Sequence, residues 1–337
     1  MAIGGAGGHY RHPAHCRGGE QESVGRFPGP GSPGPLGAGH PPAHGAQRHG
    51  AIAAVPLRRP QGSRRGSPAG GAGALGVSVK LAITSQGQGP QLTLVPGWGL
   101  GSGAWNLVSH LLAKHFTVHT VELPGYGAAD PAPEASLDEL ADALAETLPP
   151  RAMVCGWSLG ALICLKAAQR QPRKVARLAL VGATASFVQR EGWPEALPPA
   201  QLQQFISGLE ADPAALLKHF GSLIHQGDGN MRQAIRALRH CLGDAPGGLT
   251  ADEETLRAGL AMLGDTDLRA LLSEVHQPVL LIHGSADPLM PLAAGERLLQ
   301  ALPSARLSVF GTSAHAPFAS DPLRFVAEVC TFAGIGE

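Results

Sequence analysis

From Leu92 onward the sequence repeats one pattern: a short, nearly continuous apolar run, an amphipathic stretch, then another apolar run. The runs fall at 92–97 (LTLVPG), 117–123 (TVHTVEL), 152–157 (AMVCGW), 175–183 (VARLALVGA), 278–284 (PVLLIHG) and 305–311 (ARLSVFG). A strand wetted on one face alternates apolar and polar residues, whereas a strand covered on both faces reads as continuous apolar sequence. The stretches between them carry helical periodicity, over about 104–113, 137–147, 159–170, 291–301 and 321–332. Together these predict an α/β fold: a doubly wound, mostly parallel sheet, with loops of interest at the strand C-terminal ends.

One interval breaks the rhythm. The 94 residues between Ala183 and Pro278 hold no convincing strand, only helical patterns at about 199–208, 213–225, 229–242 and 251–263. An all-helical insertion after one strand of such a sheet reads as a lid over the strand ends. The predicted division is a core of residues 77–186 and 268–337, with a helical lid over 187–267.

Residues 1–76 are of another kind, with 20 Gly and 10 Pro. They have too few aromatic and branched aliphatic residues to offset the entropy of ordering them, so they are expected to be a disordered extension. This excludes a two-domain protein with a folded N-terminal half. The formal net charge of zero is then a sum of unlike parts. The extension has eight Arg, no Lys and two acids, Glu20 and Glu22, while residues 77–337 carry 18 basic and 24 acidic side chains. A second reading of the extension is translated upstream sequence from a start placed too early. Its charge brings only Tyr10 and Phe27 as aromatics, so no nucleic-acid site is expected.

No segment approaches the roughly 18 apolar residues of a membrane span, and Ala51 to Leu57 is too short and too deep in the chain for a secretory signal. The Arg58–Arg59 and Arg64–Arg65 pairs lack an evident cleavage site after them. The five cysteines (Cys16, Cys155, Cys164, Cys241, Cys330) have neither CxxC nor disulfide-framework spacing. Free thiols, no metal, no cofactor and a cytoplasmic monomer are the expectations.

The sharpest local motif is Gly156-Trp157-Ser158-Leu159-Gly160, between a predicted strand and a predicted helix. G-x-S-x-G at such a turn lifts a serine hydroxyl into the open, because the glycines permit a sharp, strained backbone. A neutral serine needs a base, and the base an orienting group. Asp287 directly follows the strand 278–284, and His315 follows the strand 305–311. Alone, Asp287 reads equally as a helix N-cap and His315 as one loop histidine among fifteen. Three such residues at three strand ends, in the order Ser, Asp, His, point jointly to a nucleophile–base–acid triad. The oxyanion donors are expected from the backbone N–H of Leu159 and from the loop 96–100, with Trp98 the donor there.

Residues 80–335 resemble the α/β-hydrolases, and within them the pimeloyl-[acyl-carrier protein] methyl ester esterases of biotin synthesis. The stretches that carry the resemblance are GWGLGSGAW (97–105), HFTVHTVELPGYG (115–127), GWSLGALI (156–163), EGWP (191–194), DTDLRALLSEVHQPVLLIHGSADPLMP (265–291) and SAHAPF (313–318). The resemblance implies Ser158, Asp287 and His315 as triad, with Trp98 and Leu159 at the acyl carbonyl. It also implies that Phe220 and Ile224, in or next to KHFGSLI (218–224), line the acyl site. Ordinary lid core is the alternative for Phe220. Arg232, Arg236 and Arg239 share one helix face by their spacing, and suit docking of an acidic acyl carrier protein. A solvated basic face without a partner fits the same spacing. The implied substrate is a carrier-linked methyl ester. The alternatives are a general carboxylesterase or thioesterase, a C–C bond hydrolase, or a receptor built on a hydrolase fold.

Overall fold

The computed structural model describes residues 79–242 and 251–336. Seven strands pair in the order β1-β3-β2-β4-β5-β6-β7: β1 Ala82–Gln86, β2 Gln91–Val95, β3 Thr117–Glu122, β4 Ala152–Trp157, β5 Val175–Val181, β6 Val279–Gly284 and β7 Ala305–Phe310. All neighbours run parallel except β1, which pairs antiparallel with β3 in the register Ala82↔Glu122 to Gln86↔Val118. The six apolar runs are therefore strands, each within one or two residues of its expected ends. Every residue of β4 and β6 is buried, which is why their sequences show no alternation. β1 went unread because it is an exposed edge strand with the sequence AITSQ and no apolar run. Its neighbour holds it through the ladder and through Ser85 Oγ, 2.7 Å from His119 Nδ1.

Helices cover both faces: α1 Asn106–Leu112 after a 3-10 turn Ser102–Trp105, α2 Leu137–Thr147, α3 Leu159–Arg170, α8 Leu292–Ala301, α9 Pro317–Ser320 and α10 Pro322–Ala333. α2 starts where the sequence offers a capping box: Ser136 Oγ accepts the Glu139 N–H, and Glu139 accepts the Ser136 N–H. Beneath the strand ends lie Trp105, Trp157, Phe318 and Phe325, all fully or almost fully buried. Their rings meet at centroid distances of 4.6 Å (Trp105–Phe318) and 5.1 Å (Trp157–Phe318). Rings of this size dominate the apolar area a core removes from water, and they form a firm floor under the loops above.

Between β5 and β6 the insertion holds α4 Pro199–Ala211, α5 Pro213–Leu223, α6 Met231–Leu242 and α7 Glu253–Asp265. Among its described residues there is no strand, only isolated bridges such as Tyr126↔Ala251. Prolines at the first turns of α4 and α5 fit where no backbone N–H is needed, and Asp212 and Asp252 cap α5 and α7. Cys155, Cys164 and Cys330 are buried free thiols. No helix among the described residues is long and apolar enough to cross a membrane. The expected extension, residues 1–76, lies outside the described residues.

Candidate active site

Ser158 stands at the junction of β4 and α3 with φ 54° and ψ −114°, in the left-handed region that a side chain disfavours. Two glycines make that backbone possible by close approach. A Cβ on Gly156 would lie 2.4 Å from the Gly160 carbonyl oxygen, and one on Gly160 would lie 2.4 Å from that of Val95. The Ser158 N–H donates to the Val181 carbonyl at 3.0 Å, which ties the elbow to the end of β5. The motif thus sets the serine at the C-terminal edge of the sheet.

Asp287 and His315 come together from the loops after β6 and β7. His315 Nδ1 lies 2.7 Å from Asp287 Oδ2, and both side chains are wholly buried. The other carboxylate oxygen, Oδ1, accepts the N–H groups of Leu289 and Met290, each at 2.9 Å. Burial alone would push the Asp287 carboxyl up, but the facing His315, the His283 ring and the Met290 N–H outweigh it and hold the carboxyl below its ordinary range. An ionised Asp287 can only accept, so Nδ1 carries the proton and Nε2 is left as the imidazole's basic nitrogen. Nε2 is buried and has no hydrogen-bond partner.

The imidazole is braced on several sides. Gly182, at φ 53°, passes so close that a Cβ there would lie 2.9 Å from the ring. The Trp157 indole N–H donates to the His315 carbonyl at 2.9 Å, and the His315 N–H donates to the Ile224 carbonyl at 3.0 Å. Ser158 and His315 therefore flank the end of β5, one bonded to Val181 and the other packed on Gly182.

The loop after β2 runs beside the serine: a Cβ on Gly97 would lie 3.3 Å from Ser158 Cβ. Trp98 follows. Its indole N–H is committed to the Leu256 carbonyl of α7 at 2.8 Å, so any contact with a substrate oxygen falls to its backbone N–H. Leu159 is the first residue of α3, where the N–H has no acceptor within the helix and the helix dipole favours negative charge. At Ser158 the walls of a narrow apolar cavity are the rings of Trp98, Phe187, Phe205 and Phe220 and the aliphatic Leu260, Leu263 and Leu289. Phe220 meets Trp98 edge-to-face at 5.0 Å and Phe205 at 6.1 Å.

The other expected site residues divide. Phe220 lines the cavity. Ile224 is fully buried, and what it brings to the site is its carbonyl, which anchors His315. Leu159 also lines a separate apolar groove, with Leu123, Pro124, Thr255 and Met262. Arg232, Arg236 and Arg239 are exposed on α6. Phe187, Phe205 and Leu289 were not singled out from the sequence, since an apolar residue in a loop or helix carries no sign of which neighbour it will face. Among the described residues no cluster of His, Cys, Asp and Glu could hold a metal ion.

Comparison with known proteins places the chain in a family. The model of the alpha/beta hydrolase family matches residues 94–329. A pimeloyl-[acyl-carrier protein] methyl ester esterase of Aromatoleum aromaticum is 44% identical over 238 residues, 69% of this chain and 94% of that protein. The protein of the same name in Nitrosomonas europaea is 39% identical over 251 residues, 74% of this chain and 98% of the relative. Among solved structures, an esterase from Exiguobacterium antarcticum superposes with a TM-score of 0.69 at 22% identity, covering 76% of this chain and 96% of its own. A strained serine elbow, a buried Asp–His pair at the neighbouring strand ends and this family match lead to one statement: the chain belongs to the alpha/beta hydrolase family.

Proposed function

We propose that this carboxylic ester hydrolase removes the methyl group from a pimeloyl-[acyl-carrier protein] methyl ester, releasing methanol and the free carboxylate. The relatives that bear this name support the substrate. The observation that carries the chemistry is His315 Nε2: buried, without a partner, and opposite a ring nitrogen bonded to an ionised acid. In this reading Nε2 takes the proton of Ser158 Oγ as the oxygen attacks the ester carbonyl. The backbone N–H groups of Trp98 and Leu159 hold the developing oxyanion, each contributing about 3–4 kcal/mol by analogy with other hydrolases. His315 then gives its proton to departing methanol, leaving an acyl-enzyme that a water activated by the same nitrogen hydrolyses.

The apolar walls explain why a neutral ester enters and an acid leaves. Each methylene of the chain buried against Phe187, Phe205 and Phe220 contributes about 0.8 kcal/mol. An ionised carboxylate in the same space has no cation to meet, and desolvating it is costly. Hydrolysis therefore turns a favourable occupant into an unfavourable one. The helical insertion serves as the lid, since α5 supplies Phe220, α4 Phe205 and α7 Leu260 and Leu263 to this cavity.

The test is methanol release by the purified protein from a methyl pimeloyl-carrier ester and from short generic esters. Faster turnover of the carrier-linked ester is expected, and equal or slower turnover defeats the substrate assignment. Ser158→Ala is expected to stay folded and to lose hydrolysis of both; retention of a tenth of the wild-type rate removes Ser158 from the role of nucleophile.

A further inference from the structure

A second buried carboxylate stands behind the catalytic histidine, on the insertion rather than on the core. The segment between α5 and α6 lies along the loop that carries His315 and along α9. It receives the His315 N–H at the Ile224 carbonyl, and the Gly229 N–H donates to the Thr312 carbonyl at 2.8 Å. Between those two bonds sits Asp228, its side chain fully buried. Ser320 Oγ donates to Asp228 Oδ2, the Asn230 N–H donates to Oδ1 at 2.7 Å, and the backbone N–H of Ala314 faces the same carboxylate. Asn230 Nδ2 also donates to the Ser320 carbonyl, at 3.3 Å.

Such a carboxylate is costly to bury without a cation, so its surroundings show what sustains it. Burial pushes it up, but His225, the Ser320 hydroxyl and the Asn230 and Ala314 N–H groups outweigh that, and Asp228 lies below its ordinary range. His225 Nδ1 is 3.9 Å away, beyond hydrogen-bond reach, and both nitrogens of that buried ring lack partners. The donors in bonding contact are thus the Ser320 hydroxyl and the Asn230 N–H, and the first of these belongs to the core, at the end of α9 and five residues beyond His315.

We infer that Asp228 is a positioning residue for His315, fixing the backbone from which the imidazole hangs. This rests on the reading of His315 as the base. Asp287 sets the tautomer and the tilt of the ring through Nδ1. It does not hold the chain that follows the ring. Asp228 does so at Ser320 from the insertion, beside the His315–Ile224 and Gly229–Thr312 backbone bonds of the same segment, so the base is in register only while the α5–α6 connection is seated. Misplacement of a reacting group by about 1 Å can cost about a hundredfold in rate, so a backbone anchor here acts on turnover rather than on affinity.

The test uses the full chain, a small p-nitrophenyl ester, and labelling of Ser158 by a fluorophosphonate. Asp228→Asn keeps the shape but turns an N–H₂ toward donors. It is expected to lower kcat about tenfold, with KM within about twofold of wild type, and to slow labelling by a similar factor. Ser320→Ala, a milder change at a half-buried site, is expected to lower kcat about threefold, and Ser320→Thr, which keeps the hydroxyl, to restore it. Unchanged kcat in D228N, or a rise in KM in place of a fall in kcat, overturns the inference. Should D228N not fold, S320A with wild-type kcat overturns it equally. His315→Ala separates the two readings: if it loses activity while D228N and S320A do not, only the positioning role fails, and if it retains activity the role of His315 as base fails first.

Discussion

Tyr126 holds the loop that carries Trp98. Its buried hydroxyl accepts the Gly99 N–H at 2.9 Å, and Glu122 accepts the N–H and hydroxyl of Ser102 a few residues on. Burial raises the Tyr126 hydroxyl well above its ordinary range; the Gly99 bond opposes that and the Glu122 charge adds to it, so the phenol stays neutral in alkaline solution. A buried N–H that loses its acceptor costs about 1–3 kcal/mol. Tyr126→Phe is therefore expected to lower kcat by about tenfold, since a cost of this size falls on the Trp98–Gly99 peptide, next to the one that presents the proposed Trp98 N–H donor. Steady-state kinetics on a small ester checks this, and unchanged kcat would separate Tyr126 from the oxyanion loop. At this scale the sequence could place the three residues proposed as a triad, because each follows an apolar run and Ser158, Asp287 and His315 stand at the ends of strands in one parallel sheet. Tyr126 and Asp228 were not legible, because Gly99 and Ser320, the partners that give them their place, come near them only in the folded chain. Ile224 was legible as a neighbour of the site but not in its part, which its carbonyl plays.

Among the elements, α7 decides the shape of the cavity. It carries Leu260 and Leu263 on the cavity side, and its Leu256 carbonyl anchors the Trp98 indole. Gly259 is the point of closest approach: a Cβ there would lie 2.5 Å from Trp98 Cδ1 and 3.0 Å from Nε1. Gly259→Ala must displace the indole or the helix, since overpacking a closed core costs about 1–3 kcal/mol. The expected outcome is a Tm lower by a few degrees and a kcat/KM for a long-chain ester reduced about tenfold, set by the loss of that packing. Thermal melts alongside a series of acyl lengths check it, and equal efficiency at every length would show that the indole does not shape the chain site. The helices of the insertion were readable from periodicity and proline punctuation, with ends at Ala211, Leu223, Leu242 and Asp265 close to those expected. That Gly259 marks a helix–indole contact was not readable, since a glycine within a helical pattern shows only that the position tolerates one.

At the scale of the whole molecule, the balance of charge sets what can approach the lid. Residues 77–337 carry 18 basic and 24 acidic side chains, so this part of the chain, taken by itself, repels a negatively charged carrier at long range. Arg232, Arg236 and Arg239 counter it locally: all three are exposed on α6, at a spacing that puts them on one face. A patch of this kind steers encounter and orientation more than it adds affinity, and salt screens it over about 10 Å at 0.1 M. Reversing the three arginines to glutamate should therefore raise KM for the carrier-linked ester about tenfold at low salt, through slower association. The apolar cavity takes no part in that step, so kcat and KM for a small neutral ester should stay as in the wild type. Added salt should narrow the gap between variant and wild type on the carrier-linked substrate by raising the wild-type KM toward that of the variant. If both esters lose equally, α6 acts on the lid's stability; if neither does, the carrier docks elsewhere and the basic face is only solvated.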